Sequence, residues 1–326
     1  MPIKRLNYID QAKGIAILLL LFCHTAPGDA INTWIFLFHM PIFFIVGGIL
    51  LAHRTADKTL QFADVRHLLA RRCRNLLLPY FVFCLLLTIF YASLSYVSGG
   101  VFDCKSKLIA TLTFQGVDSL WFIPCYFWSE LVMSLVLMLP RRYTLPVATS
   151  FCLLGIIVMS LPMPEVQFLR YLTKITVSLS FFSMGYIACH YNWVDAISRV
   201  KAVLLMIISS ILGCAGGHAA IGGLVFPYWG GYFVTASIMS IALLAFLKSF
   251  DREMPNLQIW GKYSIVVLCT NNLLIESIRL MDSKITGNFL LVHGLLGCCV
   301  FFMILYILEY YIIRLSQGLL GVVFGK

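Results

Sequence analysis

The sequence predicts an all-α integral membrane protein that crosses the bilayer about ten times. Three observations lead to this fold class. Of the 326 residues, 60% are hydrophobic and only 12% are charged, whereas a soluble domain is about 45–50% apolar and about 25% charged. The apolar residues form runs of roughly 20, the length of a helix that spans a bilayer. The junctions between the runs are short, so residues 1–326 are predicted to form a single transmembrane domain.

This composition excludes an ordinary cytosolic enzyme, a disordered chain and a disulfide-stapled secreted module. The formal net charge is +10, which in a membrane protein first indicates basic cytoplasmic loops, and we expect no nucleic-acid partner. Most of the eleven cysteines lie in apolar runs, and no two have CxxC spacing. We therefore interpret them as packing residues and expect no metal site.

Ten spans are predicted from the apolar runs. They cover approximately residues 8–26, 31–52, 76–97, 118–139, 143–161, 171–190, 202–221, 230–249, 262–282 and 288–313. Lys13 and His24 interrupt the first run and a second follows closely, so we expect a retained span, not a cleaved signal peptide. With the N-terminus in the cytoplasm, six of the 24 basic residues fall outside: Lys105, Lys107, Arg170, Lys174, Arg279 and Lys284. This matches the positive-inside rule, and ten spans also return the C-terminus to the cytoplasm.

Ionisable residues at membrane depth are costly, and the first span holds three of them. Asp10, Lys13 and His24 share one helical face, with Lys13 and His24 about 16 Å apart along the axis. Asp10 lies three residues before Lys13, a spacing that predicts a local ion pair. The pattern fits either interfacial anchors with an outer-loop histidine, or one stripe of functional groups.

His39 in the second span should lie at a depth similar to that of His24. A single histidine in an apolar helix is most often a hydrogen-bonded core residue, but two at matched depth favour a site. Pro41 removes a backbone donor and predicts a kink next to His39.

The longest cytoplasmic segment, residues 53–75, ends in a basic cluster formed by Arg71, Arg72 and Arg74. One interpretation is a surface helix held by anionic lipid headgroups. The other is a phosphate-binding cluster, since the arginine fork suits phosphate oxygens.

The fourth and ninth predicted spans add further polar positions. Trp121 begins the fourth span, where it fits an aromatic belt at the interface, and Glu130 lies near its middle. Asn271, Asn272 and Glu276 lie in the ninth span. They fit either a site or hydrogen bonding between helices.

Together and in this order, these segments resemble the membrane acyltransferase-3 family, and in particular its fucose 4-O-acetylase-like branch of polysaccharide O-acetyltransferases. Four stretches carry the resemblance. They are residues 5–17 with the Lys13-x10-His24 spacing, residues 38–48, the arginine cluster followed by Leu78-Pro79-Tyr80, and residues 119–124.

The chain departs from the family pattern at two places. The family usually has a Ser-Gly pair at the end of the second motif, where this chain has Val46-Gly47 or Gly47-Gly48. Many members also carry a histidine in a late span after a Gly-x-x-Ser start, where this chain has Asn271. An asparagine hydrogen-bonds but does not take a proton near neutral pH.

The resemblance implies transfer of an acetyl group from cytoplasmic acetyl-CoA to a hydroxyl of a bacterial cell-surface sugar or polysaccharide. The acceptor would be a glycan or a lipid-linked sugar, and the enzyme a multi-pass protein of the bacterial inner membrane. His24 would be the general base or a transient acyl carrier. The implied site comprises His24, His39 and Asp10 for catalysis, Lys13, Arg71, Arg72 and Arg74 for the donor, and Trp121, Glu130 and Asn271 for the acceptor.

Two other function classes fit the polar spans. A secondary transporter or flippase for a sugar or a lipid-linked glycan predicts substrate flux without consumption of acetyl-CoA. A structural or sensory membrane protein predicts that His24 tolerates substitution.

Overall fold

The fold is all-helical through the residues that the structure, a computed structural model, describes. These are residues 6–55, 58–98, 102–250, 252–285, 287–288, 290, 294–318 and 324. Extended pairing in these ranges is limited to one bridge between Ala220 and Val225. Helices satisfy their backbone hydrogen bonds internally, as an apolar bilayer requires.

Fifteen α-helices have described bounds. They are α1 (Asn7–Cys23), α2 (Asp29–Phe38), α3 (Pro41–Thr55), α4 (Phe62–Arg72), α5 (Leu78–Ser98), α6 (Cys104–Leu112), α7 (Phe122–Val136), α8 (Arg141–Ser160), α9 (Gln167–His190), α10 (Trp193–Ala196), α11 (Arg199–Gly216), α12 (Gly230–Phe250), α13 (Pro255–Lys262), α14 (Ser264–Ile285) and α15 (Gly294–Ser316). A π-helical turn at Cys73–Leu77 joins α4 to α5, and a 3₁₀ turn at Asp118–Trp121 precedes α7.

Nine stretches within the described ranges are long and apolar enough to cross a membrane. The predicted membrane-protein class is thereby confirmed. The remaining predicted span, the first one at residues 8–26, corresponds to α1. This helix has 17 residues, at the lower limit of roughly 17–25 for a spanning helix. It ends at Cys23 and not at residue 26, since Pro27 disfavours helical backbone at Ala26, whose φ is 59°.

The second predicted span is confirmed, but it consists of two helices. The stretch Asp29–Thr55 is long and apolar enough to cross a membrane as one span, and its helix is interrupted at His39 and Met40. The interruption lies directly before Pro41, which lacks the N–H that a continuous helix would need. The predicted kink beside His39 is therefore confirmed.

The chain divides into two compact units, each described by itself. The first comprises Met1–Leu20, Gly28–His67 and Trp128–Lys262. In it, α9 packs against α3 and α8, and α12 packs against α11 and α3. A Cβ on Gly48 would overlap the Phe182 carbonyl, and a Cβ on Gly185 would overlap the Ile45 carbonyl. These two glycines bring the backbones of α3 and α9 into direct contact.

The second unit comprises Leu21–Pro27, Leu68–Phe127 and Tyr263–Lys326. Its helix α14 packs against α5, α15 and the 3₁₀ turn. An apolar cluster joins α14 to α15 and consists of Ile275, Ile278, Leu290, Phe301 and Leu305. This core fixes the register of α14, which carries Asn271 and Asn272.

All eleven cysteines lie within the described ranges, and all are free thiols. Six are buried, namely Cys23, Cys84, Cys125, Cys152, Cys269 and Cys298. The packing interpretation holds for these six. Cys104, Cys214 and Cys299 are exposed, so that interpretation does not describe them.

We expect Gly48→Ala to destabilise the protein by about 1–3 kcal/mol, since the added methyl group meets backbone that cannot rotate away. Thermal unfolding of the purified protein in detergent measures the effect. Gly223→Ala is the control, because a Cβ there would lie 3.5 Å from the nearest Val225 methyl carbon. Equal unfolding temperatures for the two variants would contradict the proposed backbone contact.

Candidate active site

The first motif places two of the candidate residues on α1. Lys13 Nζ lies 2.9 Å from Asp10 Oδ1, so the ion pair predicted from their spacing is confirmed. Asp10 is buried, and the Lys13 side chain keeps 20% of its surface exposed. Lys13 can therefore still reach a ligand while its charge remains balanced.

The same motif is fixed by close contact with the segment around α13. A Cβ on Gly14 would overlap the Leu257 carbonyl, and a Cβ on Gly261 would overlap the Asp10 carbonyl. The Gln11 side-chain amide donates to the Arg252 carbonyl at 2.8 Å. Gly261 begins the late Gly-x-x-Ser motif. The backbone of this late motif therefore packs directly against the first motif, at Asp10.

His24 follows α1 in a turn and is half-buried. The predicted span placed it inside a helix, and the structure corrects this because α1 ends at Cys23. Its backbone carbonyl accepts a hydrogen bond of 3.0 Å from Arg279 Nη2. The Cys298 thiol donates to the next carbonyl, that of Thr25, at 3.0 Å. Side chains from α14 and α15 thus hold the turn in place.

Arg279 is a candidate site residue that the sequence did not predict. Sequence analysis placed it only among the six basic residues on the outer side of the membrane. Its Nη1 lies 3.0 Å from Glu276 Oε1, and its Nη2 donates to the His24 carbonyl. Tyr91 donates a 2.6 Å hydrogen bond to Asp118. The available signal was the i, i+3 acid–base spacing of Glu276 and Arg279 within an apolar helix.

His39 lies in the first unit and is buried, with 3% of its surface exposed. Its Nδ1 lies 2.8 Å from the Ile35 carbonyl. A carbonyl only accepts, so Nδ1 carries a proton and donates this hydrogen bond. Phe36 packs edge-on against the ring at 4.8 Å.

The basic cluster lies at the junction of α4 and the π turn. Arg71 and Arg74 are exposed, and Arg72 is half-buried. In the π turn, the Leu78 N–H donates to the Cys73 carbonyl five residues earlier. Pro79 accounts for this register, because its ring would clash with a carbonyl four residues earlier in a regular helix. The resulting π turn changes the directions in which the neighbouring arginines project.

Tyr80, at the end of the same motif, anchors the loop that leads to Trp121. Its hydroxyl donates to the Thr111 carbonyl at 2.9 Å and accepts from the Gly116 N–H at 3.2 Å. Gly116 has a φ of 79°, which favours glycine, and a Cβ there would overlap the Trp121 backbone. Trp121 itself is 9% exposed, more buried than an interfacial belt residue.

Asn271 is fully buried and belongs to a polar cluster with Ser119 and Asn272. The Ser119 hydroxyl lies 3.2 Å from Asn271 Oδ1, and the Asn272 side chain donates to Ser119 Oγ at 2.9 Å. This cluster connects α14 to the 3₁₀ turn. Its hydrogen bonds show how Asn271 contributes to helix packing, whereas its contact with an acceptor stays a prediction.

Glu130 is buried and forms an ion pair with Arg54 across 3.5 Å. This pair joins α7 to α3 in the first unit and gives Glu130 a structural partner. Its predicted contact with the acceptor stays a prediction.

The candidate residues fall into both units. The first holds Asp10, Lys13, His39 and Glu130, and the second holds His24, Arg71, Arg72, Arg74, Trp121 and Asn271. Arg5, where the resemblance begins, lies outside the described residues. Within the described ranges, no three His, Cys, Asp or Glu side chains are grouped so as to hold a metal ion.

Residues 6–314 match the model of the acyltransferase-3 family, which describes an acyltransferase domain. The chain belongs to this family. It is therefore an acyltransferase, and not the transporter that its polar spans alone would favour. No curated protein and no solved structure matches the chain significantly.

One buried carboxyl group of this acyltransferase escaped the sequence reasoning altogether. Glu309 on α15 is 0% exposed, and its two oxygens lie 3.0 and 2.8 Å from the Thr270 hydroxyl. Thr270 also lies within hydrogen-bonding distance of the Val266 carbonyl. Only the isolated acid in an otherwise apolar span could have indicated this position.

We expect Tyr80→Phe to lower both stability and acyl transfer. Removal of the hydroxyl leaves the Thr111 carbonyl and the Gly116 N–H without this partner, which costs about 1–3 kcal/mol. The loop before Ser119 and Trp121 should then loosen. Thermal unfolding and transfer assays measure the two effects. Tyr96→Phe, at a site 87% exposed, is the control. Equal unfolding temperatures and equal transfer rates for the two variants would contradict the role of Tyr80 as an anchor of this loop.

Proposed function

We propose that this acyltransferase moves an acetyl group from cytoplasmic acetyl-CoA to a hydroxyl of a bacterial cell-surface sugar or polysaccharide. It would act in the inner membrane, with both termini in the cytoplasm. The observation that carries the proposal is the Lys13-x10-His24 motif on a chain of the acyltransferase-3 family. Lys13 stays partly accessible, and the His24 turn is held by Arg279.

The donor is a polyanion, so its phosphates should bind to basic side chains that remain accessible. Lys13 and the exposed Arg71 and Arg74 meet this requirement. The helix between Lys13 and Cys23 is continuous, and the rise to His24 is about 16 Å. An extended pantetheine arm could bridge this distance and bring its thioester to the imidazole.

A sugar hydroxyl is a weak nucleophile until its proton is removed. In the proposed step, His24 takes that proton while the hydroxyl oxygen forms a bond to the acetyl carbon. The carbon–sulfur bond then breaks, and the imidazolium returns its proton to the departing CoA thiolate. In a second route, His24 attacks the thioester carbon first, the carbon–sulfur bond breaks, and CoA leaves as a thiolate. The sugar hydroxyl then takes the acetyl group from the transient acetyl-histidine, its proton goes to the thiolate, and His24 is regenerated. Rapid denaturation at neutral pH after a single turnover, followed at once by peptide mass spectrometry, distinguishes the two routes, because an acetyl-histidine is labile in acid.

We assign four residues to the acceptor side of the reaction, namely His39, Trp121, Glu130 and Asn271. The Nδ1–Ile35 hydrogen bond fixes the His39 ring, and we propose that this fixed ring helps to orient the acceptor hydroxyl. Trp121 offers an aromatic face on which a sugar could stack. Asp10 supports the reaction indirectly, by orienting Lys13.

Mass spectrometry of cell-surface glycans, with and without the protein, tests the reaction as a whole. We expect a mass shift of one acetyl group that appears only with the active protein. Identical glycan masses, together with transport of a glycan in proteoliposomes that lack acetyl-CoA, would overturn the proposal.

We expect His24→Ala to lower acetyl transfer by about 10²–10⁴-fold, the usual contribution of a general base. Membrane insertion should be unchanged, because His24 contributes its backbone carbonyl to the turn. Transfer from radiolabelled acetyl-CoA in membranes measures the effect. His67→Ala, at an exposed histidine, should leave transfer intact. Wild-type rates in the His24 variant would exclude both proposed routes.

We expect Lys13→Ala to weaken acetyl-CoA binding by roughly tenfold, the effect of one lost charge-assisted hydrogen bond. Acceptor affinity should change much less. Equilibrium binding of the donor and the KM for the acceptor measure the two effects. Lys58→Ala removes an exposed lysine of the first unit and serves as the control. Unchanged donor affinity in the Lys13 variant would refute its role in binding the phosphates.

A further inference from the structure

A cavity with a basic lining lies in the first unit, where three candidate spans have their ends. This cavity of about 390 Å³ lies between the C-terminal ends of α3 and α9 and the first turn of α8. Its polar lining includes His53, Arg141, Thr144, Tyr186 and His190. This volume falls within the range of about 300–1,000 Å³ that is typical of small-molecule sites.

The packing of α3 on α9 explains why the cavity forms at this place. Gly48 and Gly185 bring the two backbones into contact. Beyond this contact, His53 lies five residues after Gly48, and His190 lies five residues after Gly185. Both helices therefore carry a histidine of the cavity at the same distance from their closest approach. The side chains of α8 complete the cavity lining.

The polar groups of this cavity match an anion. Arg141 supplies only donors, in a planar fork, and each imidazole supplies at least one N–H donor. The Arg141 charge also reaches Tyr186. Among the described residues, Asp195 is the carboxylate close enough to influence His53 and Cys189, and it forms an ion pair with Lys248. That pair adds no net negative charge.

We propose that this cavity binds a phosphate group through Arg141, His53 and His190. An arginine fork and two imidazoles together offer donors in several directions, which suits the tetrahedral oxygens of a phosphate better than a planar carboxylate. The ends of membrane-spanning helices meet phosphates from two sources, the headgroup of an anionic lipid and a soluble phosphorylated molecule. The proposal concerns binding alone and does not depend on the acetyl-transfer mechanism.

Native mass spectrometry of the purified full-length protein in a phosphate-free maltoside detergent tests this site. One arm adds adenosine 3′,5′-bisphosphate as the soluble probe, and the other adds phosphatidic acid as the lipid probe. We expect Arg141→Gln to weaken the binding of one probe by about tenfold or more. Weaker binding of adenosine 3′,5′-bisphosphate identifies a soluble phosphate as the ligand. Weaker binding of phosphatidic acid identifies a lipid headgroup.

Arg142→Gln is the matched control, because this neighbouring arginine stacks on the Tyr143 ring at 4.7 Å and does not line the cavity. Arg141→Lys should restore only part of the binding, since it keeps the charge and loses the fork. A His53→Asn, His190→Asn double variant probes the other two side chains, and circular dichroism confirms folding in each case. The proposal would be overturned if the Arg141 and Arg142 variants bound both probes equally well. It would also be overturned if the wild-type protein bound neither probe.

Discussion

The rest of the structure depends on one constraint: an ionisable side chain within an apolar helix needs a partner inside the protein. Several ion pairs among the described residues meet this need, and three of them include or adjoin candidate site residues. These three are Asp10–Lys13, Arg54–Glu130 and Glu276–Arg279. Each pair ties down the part of the helix that carries it, so the sparse charges also set the positions of the candidate site residues. Lys13 and Arg279 show the consequence. Lys13 is paired with Asp10 and its side chain stays partly exposed. Arg279 is paired with Glu276 and also donates to the His24 carbonyl.

Glycines provide the second element of this arrangement, because two helices whose side chains are small can approach until their backbones touch. Gly14 and Gly261 fix α1 against the segment around α13, and Gly48 and Gly185 fix α3 against α9. The first contact lies beside the Asp10–Lys13 pair, and the second lies one helical turn from the basic cavity. In both cases, a backbone contact adjoins the polar groups for which we propose a role in binding.

The features that the sequence alone predicted are those whose cause is local. Apolar runs set the helices, Pro41 sets the break beside His39, and the i, i+3 spacing sets the Asp10–Lys13 pair. Contacts between distant residues could not be predicted in this way, because periodicity on one helix does not say which helix lies opposite. The hydrogen bond from Arg279 to the His24 carbonyl and that from Tyr80 to Thr111 are of this kind. The end of α1 was also misplaced by three residues, because hydropathy does not register the backbone restriction before Pro27.

The two candidate histidines differ in a way that assigns them different parts in the proposed reaction. His39 is buried in a helix break, and its Nδ1 is committed to the Ile35 carbonyl. A ring held in this way keeps one tautomer, which suits orientation of a bound hydroxyl and opposes repeated proton exchange. His24 lies in a half-buried turn whose backbone, and not whose ring, is held by Arg279. In the proposed reaction its imidazole would first take the proton of the sugar hydroxyl and later return it to the departing thiolate, as a general base that then acts as an acid does.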